Sequence, residues 1–185
     1  MNNAFAPAAK KPLVVIMHVQ TTRMDRNFYK PLEEKGGRIF EPYDKMCIMA
    51  EEARKAGVPV KFVEIKGLAA TEPVLLEKAG GSAERVIYWN YDASLRIFQL
   101  LEDGQKLAQG ERHSVILAGN DKYYCVYVTA YGLVQRGVEV ITSNDLLIWK
   151  AKGNDSHHFE KDWFFLKETR FLTLPEILPM IRTKR

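Results

Sequence analysis

The residue of this chain best suited to covalent chemistry is Cys125, which lies in a segment covering residues 115–141. The pattern of that segment predicts a buried strand at 115–118, a turn at 119–121, a helix that carries Cys125, and a second strand at 138–141. A turn from the carboxyl end of a buried strand into a helix is where open α/β sheets place their ligand sites. We therefore expect Cys125 at a ligand-binding edge of a sheet.

Two roles for Cys125 stay open at this point. In the first turn of a helix, the backbone N–H groups and the helix dipole favour an anion, which lowers the pKa of a thiol. The thiolate is the reactive form, so Cys125 can be a nucleophile. Free cysteine is also among the residue types that are most often buried, so Cys125 can equally be a small core residue.

Two charged residues come shortly before Cys125 in the chain. Asp121 can act as a carboxylate beside the nucleophile or as the N-cap of the helix, and we favour the cap because aspartate is strongly preferred there. Lys122 can supply positive charge near the thiolate. A lysine at such a position is more often solvated at its ammonium group, and we expect that here.

Strands and helices alternate about six times along the chain, which predicts one sheet with helices on both of its faces. The run LVVIM at residues 13–17 is continuously apolar, as expected of a strand buried on both faces. The other predicted strands are residues 58–65, 86–89, 115–118, 138–141 and 170–173, and the other predicted helices are 39–56, 73–79, 92–107, 157–167 and one that Thr173 caps. The expected fold is a three-layer α/β/α sandwich around a mostly parallel, six-stranded sheet.

The length and composition fit one globular domain. With 185 residues, 46% of them hydrophobic and 27% charged, we expect a flexible tail at residues 1–11 and a single domain at 12–185. No window of 18 apolar residues and no signal-peptide pattern occurs, so we expect neither membrane insertion nor export. Two cysteines make no disulfide framework, which favours a cytoplasmic protein.

The net charge of +4 is modest, and the basic residues are scattered apart from the closing RTKR. Nucleic-acid-binding proteins carry a basic stripe or a groove-reading motif, and neither occurs here. We therefore expect a small-molecule substrate and no nucleic-acid partner.

The segment around Cys125 also has a recognisable spacing of small and polar residues: Gly119-x5-Cys125-Val126-x2-Thr129-Ala130, followed by Gly137-x-x-Val140. Three further pieces occur in a matching order, namely ARKAGVPV at 53–60, YDA at 91–93 and LTLPEI at 172–177. Together they resemble the isochorismatase-like cysteine hydrolase superfamily over about residues 13–181. The resemblance implies that family's fold and a nucleophilic role for Cys125.

The resemblance also implies a catalytic set. The family uses an aspartate after the first strand as base, in the pattern Asp-x-Gln, and a lysine after the third strand to stabilise charge. The cysteine attacks a carbonyl or nitrile carbon, and backbone N–H groups form an oxyanion hole. In this chain the corresponding turn contains Asn120, Asp121 and Tyr124, with a cis peptide bond expected near Asn120-Asp121. The N–H groups of Tyr124 and Cys125 are the expected donors of the oxyanion hole.

This sequence departs from the family at two of the three catalytic positions. The Asp-x-Gln position reads His18-Val19-Gln20, and the lysine position falls on Tyr88, Trp89 or Asn90. In one interpretation His18 is the base, since an imidazole with a pKa of about 6.5 accepts protons at neutral pH, and Tyr88 donates a hydrogen bond in place of the lysine. In the other, the catalytic set has decayed and the pocket binds a ligand without converting it.

Aromatic residues cluster near the expected pocket. With Gln20, the residues Trp89, Tyr91 and Tyr123 suit the walls of a site for a flat or apolar small ligand. The same residues can instead pack between helix and sheet or at a subunit interface.

A metal site is not expected. His157 and His158 are adjacent, so on a helix capped by Ser156 they point about 100° apart and do not converge on one ion. We expect no cofactor either. The first functional hypothesis is a cysteine hydrolase that cleaves a small amide-type C–N bond through a thioester. The second is an inactive relative that binds a small ligand or serves in assembly.

Two further expectations concern partners and specificity. Because relatives commonly form oligomers, the resemblance implies a homo-oligomer, either a dimer or a tetramer. The loops at residues 21–38 and 67–84 would set specificity, and they carry no motif that identifies the substrate.

Overall fold

The computed structural model describes residues 12–20, 30–31, 33–34, 37–81, 84–88, 92–104, 111–149 and 169–183. In chain order the strands are β1 Leu13–Met17, β2 Val60–Ile65, β3 Glu84–Tyr88, β4 Ser114–Asn120, β5 Glu139–Thr142, β6 Leu147–Ile148 and β7 Thr169–Phe171. The helices are α1 Phe40–Lys55, α2 Pro73–Lys78, α3 Ser94–Gly104, α4 Cys125–Val134 and α5 Leu174–Arg182. The tail at 1–11 and the predicted helix at 157–167 lie outside the described residues.

The strands form one parallel sheet in the order β3-β2-β1-β4-β5-β7, which confirms the expected α/β fold. A seventh strand, β6, also pairs in parallel with β4 and places Leu147 opposite Gly119. The sequence predicted six strands, because a two-residue apolar piece is too short to show a strand period. This pairing brings the chain after β5 back to the end of β4.

The central position of β1 follows from its composition. All five of its residues are buried, and its side chains alternate between two apolar clusters as the strand period requires. Val14 and Ile16 join a cluster with residues of α1 and α5, while Val15 and Met17 join a second cluster with residues of α3 and α4. The helices therefore cover both faces of the sheet, in the three expected layers.

Several predicted boundaries shift by a few residues. Strand β4 runs on through Gly119 and Asn120, where the sequence predicted a turn. Helix α3 begins at Ser94, whose N–H donates to Asp92 Oδ1 at 2.8 Å. Thr173 caps α5, as the sequence predicted, and it forms a capping box with Glu176 that was not predicted. No helix in the described part of the chain is long and apolar enough to cross a membrane.

Candidate active site

The ends of β1 and β4 lie in close backbone contact at the carboxyl edge of the sheet. Met17 lies opposite Gly119 in the parallel register. Gly119 has a φ of +127°, and a Cβ placed on it would lie 2.2 Å from the Met17 carbonyl oxygen. Only glycine allows this approach. The residues that follow, His18 after β1 and Asn120 at the end of β4, therefore lie at the same edge of the sheet.

His18 directly follows β1 and is fully buried. Its φ is 55°, a left-handed conformation that a small share of non-glycine residues adopts and that histidine tolerates better than most. The backbone N–H of His18 donates to the Val63 carbonyl at 2.8 Å, which ties the residue to β2. Buried residues in such conformations cluster at functional sites, and His18 lies where the resemblance calls for the base.

Asn120 ends β4 and is 1% exposed. The peptide bond between Asn120 and Asp121 is cis, which confirms the expectation for this turn. No described residue donates a hydrogen bond to Asn120 Oδ1, although this oxygen is buried. A buried acceptor without a donor is rare in folded proteins, so Asn120 Oδ1 is a position where a ligand can bind.

Asp121 shapes the turn in a way that the sequence did not predict. The N-cap of α4 is Tyr124, without a side-chain cap, so the assignment of Asp121 as N-cap is wrong. Asp121 Oδ1 instead accepts from the N–H of Tyr123 at 3.1 Å. Its carbonyl accepts from the N–H groups of Tyr124 at 3.2 Å and Val126 at 3.1 Å. The main chain of Asp121 therefore supports the start of the helix.

Cys125 is the first residue of α4 and is 2% exposed. It packs in the same apolar cluster as Met17, the residue before His18. The strand–turn–helix position expected from the sequence is confirmed. Burial is compatible with both roles that the sequence left open for Cys125.

The second cysteine has no comparable setting. Cys47 lies on α1 and lines an open groove of about 550 Å³ with Tyr43 and Glu72. Burial raises the pKa of the Cys47 thiol, which disfavours the reactive thiolate. Tyr43 donates its hydroxyl hydrogen to Glu72, and burial together with this hydrogen bond raises the pKa of Tyr43.

Thr129 connects α4 to the chain segment after β3. Its Oγ1 accepts from the backbone N–H of Ala93 at 3.1 Å, and Thr129 is fully buried. Residues four apart share a face of a helix, so Thr129 lies one turn beyond Cys125 on the same side. This hydrogen bond gives a structural reason for the spacing Cys-x3-Thr in the sequence.

Lys122 is buried, with 8% exposure, so the expectation of a solvated lysine is wrong. Its backbone N–H donates to the Ile148 carbonyl at 2.9 Å, which joins the turn to β6. The ammonium nitrogen lies 4.9 Å from the ring centroid of Tyr123 and 5.8 Å from that of Trp149. The two rings meet edge to face at 5.8 Å. Cation–π attraction thus balances part of the cost of burying this charge.

Gln20 was expected in the substrate pocket, and the structure shows its hydrogen bonds. The side-chain amide donates to the carbonyls of Ile65 and Ala69, and its oxygen accepts from the Ile65 N–H at 3.0 Å. Glu64, which the sequence pattern did not mark as a site residue, accepts from Thr71 N–H and Oγ1 at 2.7 Å each. Gln20 and Glu64 therefore anchor the loop that follows β2.

The remaining predicted site residues lie at the end of β3 and in the segment that follows it. Tyr88 is the last residue of β3 and lies opposite Ile65 in the register. Trp89 and Tyr91 fall outside the described residues, as do His157 and His158. Within the described part of the chain, no three residues of the types His, Cys, Asp and Glu form a group that could hold a metal ion.

No protein-family model and no curated protein sequence matches this chain. Solved structures do match. A MAR1 ribonuclease from Caenorhabditis elegans is 20% identical, with 92% of this chain and 81% of that chain covered at a TM-score of 0.71. An isochorismatase-like hydrolase from Alkaliphilus metalliredigens is 16% identical, with coverage of 91% and 98% and a TM-score of 0.69.

A third similar structure is the YcaC gene product from Escherichia coli, an octameric hydrolase of unknown specificity. It is 13% identical, with 92% of this chain and 78% of that chain covered at a TM-score of 0.65. At these identities the agreement is one of backbone architecture. The similarity that the spacing around Cys125 indicated is thereby confirmed: this chain has the isochorismatase-like fold.

Proposed function

We propose that this protein is a cysteine hydrolase that cleaves a small amide-type C–N bond. The observation that carries the proposal is the convergence at one edge of the sheet. His18 follows β1, Asn120 ends the neighbouring β4, and Cys125 begins α4 after the intervening turn. The names of the similar structures, which include hydrolases, support the same class of activity.

In the proposed mechanism, the imidazole of His18 takes the proton from the Cys125 thiol. The thiolate attacks the amide carbon, a C–S bond forms, and the carbonyl oxygen becomes negative. When the C–N bond breaks, the leaving nitrogen takes the proton back from His18. Water, deprotonated by His18, then cleaves the thioester and regenerates the thiol. Tyr88 assists with a hydrogen bond, as the position of the family's lysine suggests.

The oxyanion needs a hydrogen-bond donor at the start of α4. The sequence suggested the N–H groups of both Tyr124 and Cys125, but that of Tyr124 donates to the Asp121 carbonyl at 3.2 Å. We propose the N–H of Cys125 as the donor, because the positive end of the helix dipole at the start of α4 favours negative charge. Asn120 Oδ1 would accept an N–H of the substrate amide.

A second candidate is a protein with this fold that binds a small ligand without converting it. The observation in its favour is the replacement of the family's aspartate by His18 and the absence of a lysine between Lys78 and Lys106. Loss of a base typically lowers a rate by about 10²–10⁴-fold, which leaves binding intact. An assay for a covalent intermediate separates the two candidates.

The test incubates the protein with a panel of small aliphatic and aromatic primary amides and measures both ammonia release and intact mass. We expect ammonia release and a transient acyl adduct on Cys125 in the wild type, and the loss of both in His18→Ala, because that variant lacks the base that deprotonates the thiol. Cys47→Ser is the matched control and should behave as the wild type. Thermal stabilisation by an amide with neither ammonia nor adduct would favour the non-catalytic candidate.

The panel should also contain a fluorescent RNA oligonucleotide, because one similar structure is named a ribonuclease. We expect no cleavage, since the basic residues of this chain are scattered and no groove-reading motif accompanies them. RNA cleavage that Cys125→Ser abolishes would overturn the proposed amide substrate.

We also propose that the chain forms a homo-oligomer, in line with the octameric state named for the Escherichia coli relative. A cytoplasmic location stays a prediction from the two cysteines, which form no disulfide.

A further inference from the structure

The outer side of α4 carries an exposed aromatic stripe. Tyr124, which precedes the helix, is 52% exposed, and Tyr131 is 49% exposed. Residues seven apart lie on the same side of a helix, and Tyr127 and Val128, half-buried, lie between them. Tyrosine gives large contact area at low entropic cost and is enriched in protein–protein interfaces.

Helix α3 packs tightly beside α4 and extends this surface. A Cβ on Gly132 would lie 2.1 Å from Ser94 Oγ, so the two helices cross in close contact there. The Arg136 guanidinium donates to the Gly132 carbonyl at 2.6 Å and to Ser94 Oγ at 3.3 Å. Leu95 is 48% exposed and lies one residue from this crossing, as does Tyr131. The two helices therefore present one continuous surface.

We call this surface the α3/α4 face. It consists of the exposed residues Leu95, Arg96, Gln99, Glu102 and Asp103 of α3, with Tyr124, Tyr127, Val128 and Tyr131 at α4. Its centre is apolar and its charges lie on α3.

The charges on α3 have a self-complementary order. Arg96 lies near the start of the helix and Asp103 near its end, about 10 Å apart along one side. Glu102 is already bonded to His113 Nε2 at 2.7 Å, which leaves Asp103 as the acidic group for a partner. If a second copy of α3 runs antiparallel to the first, Arg96 faces the partner's Asp103, and the reverse contact occurs as well. A two-fold interface requires this kind of self-complementarity.

We propose that the α3/α4 face is an interface between two copies of this chain, related by a two-fold axis near Gln99. The order of Arg96 and Asp103 favours a second copy over an unrelated partner, because the antiparallel arrangement places each of these two charges opposite the other. This inference rests on the proposed self-association and is independent of the chemistry of Cys125. Since Cys125 begins α4, the interface would also hold the helix that carries the candidate nucleophile.

The test is a charge exchange, followed by sedimentation velocity across a range of protein concentrations. Arg96→Asp and Asp103→Arg each place like charges opposite one another across the interface. The dissociation constant of the dimer should therefore be at least about tenfold higher in each single variant than in the wild type. The double variant Arg96→Asp/Asp103→Arg restores opposite charges and should associate as the wild type does. Mixing the two single variants should form a heterodimer, since both contacts then join unlike charges.

Val74→Asp is the matched control, because Val74 is also 48% exposed but lies on α2. It should leave the association unchanged, whereas Tyr131→Asp should weaken it. The inference would be overturned if the wild type were monomeric. It would also be overturned if the single variants associated as the wild type does and mixing them caused no further association. Cys125→Ser should keep the assembly while it abolishes ammonia release, so that a failure of the interface and a failure of the hydrolase proposal are distinguished.

Discussion

Gly119 lies directly against the backbone of Met17, where a Cβ would be only 2.2 Å from the Met17 carbonyl oxygen. Because both contact groups are backbone of central strands, neither can move aside without breaking the sheet. We expect Gly119→Ala to lower the free energy of unfolding by more than about 4 kcal/mol, or to prevent folding, as measured by urea denaturation.

Gly57→Ala is the control for this substitution. Gly57 also has a left-handed φ, at +65°, but a Cβ placed on it would have no neighbouring atom within 4 Å. It should therefore show only the conformational cost of about 1–2 kcal/mol. Equal losses in the two variants would show that φ, and not the contact with Met17, limits position 119.

The proposed pairing of His18 with Cys125 predicts a low thiol pKa. In a Cys47→Ser background, the rate of alkylation of Cys125 should rise at a pH well below the ordinary thiol pKa of about 8.5. His18→Ala should move this midpoint upward, because the imidazolium that stabilises the thiolate is gone. A midpoint near the ordinary value in both proteins would falsify the paired mechanism.

Replacement of Asn120 by an apolar residue should weaken substrate binding without lowering the stability of the fold. Asn120→Leu removes a buried acceptor that has no described donor, so the free energy of unfolding should stay equal or increase. The same change should raise KM by about 10- to 100-fold, equivalent to the loss of one hydrogen bond to substrate of about 1–3 kcal/mol. Asn120→Asp keeps an acceptor oxygen and is the control. A marked loss of stability in Asn120→Leu would show that the oxygen is bonded within the protein.

Thr129 should contribute to stability through one hydrogen bond. Thr129→Val has nearly the same shape but leaves the buried N–H of Ala93 without its acceptor, at a cost of about 1–3 kcal/mol. Thr129→Ser retains the hydroxyl and should lose less, since it removes only a methyl group. Equal losses in the two variants, measured by urea unfolding, would argue that packing rather than the hydrogen bond matters at this position.

Asp145 predicts a dependence of stability on acid pH. The Lys45 ammonium at 2.8 Å, followed by the Leu174 N–H, lowers the pKa of Asp145. A carboxylate whose pKa is lowered by folding stabilises the protein above its unfolded pKa of about 3.9, and this contribution is lost as the pH falls through the folded pKa. Asp145→Asn should therefore be about 1 kcal/mol less stable at pH 7.

The difference between wild type and Asp145→Asn should shrink below about pH 4, and chemical denaturation at a series of pH values measures it. The neighbouring Glu41, which also contacts Lys45, is more exposed and serves for comparison. Its replacement by glutamine should have a smaller effect, because solvent screens exposed ion pairs. If the difference in the free energy of unfolding between the two proteins stayed constant from pH 7 to the lowest pH measured, the pH dependence would not come from the Asp145 carboxylate.

The sequence by itself determined the architecture and the place of Cys125. The unbroken run Leu13–Met17 predicted a strand covered on both faces, and the pattern from Gly119 to Cys125 predicted the strand, the turn and the helix start. Local periodicity reports which residues are buried, because burial follows the repeat of the element that carries them. That information was sufficient for the α/β fold.

The tertiary structure alone decided which distant groups meet at that edge. Lys122 is buried because β6 returns beside β4 and places Trp149 near its ammonium group. Gln20 bonds to the backbone of Ile65, and Asn120 Oδ1 is enclosed without a described donor. Such contacts join residues far apart in the chain, and no local pattern encodes the partner of a buried polar group. They follow only from how the layers pack.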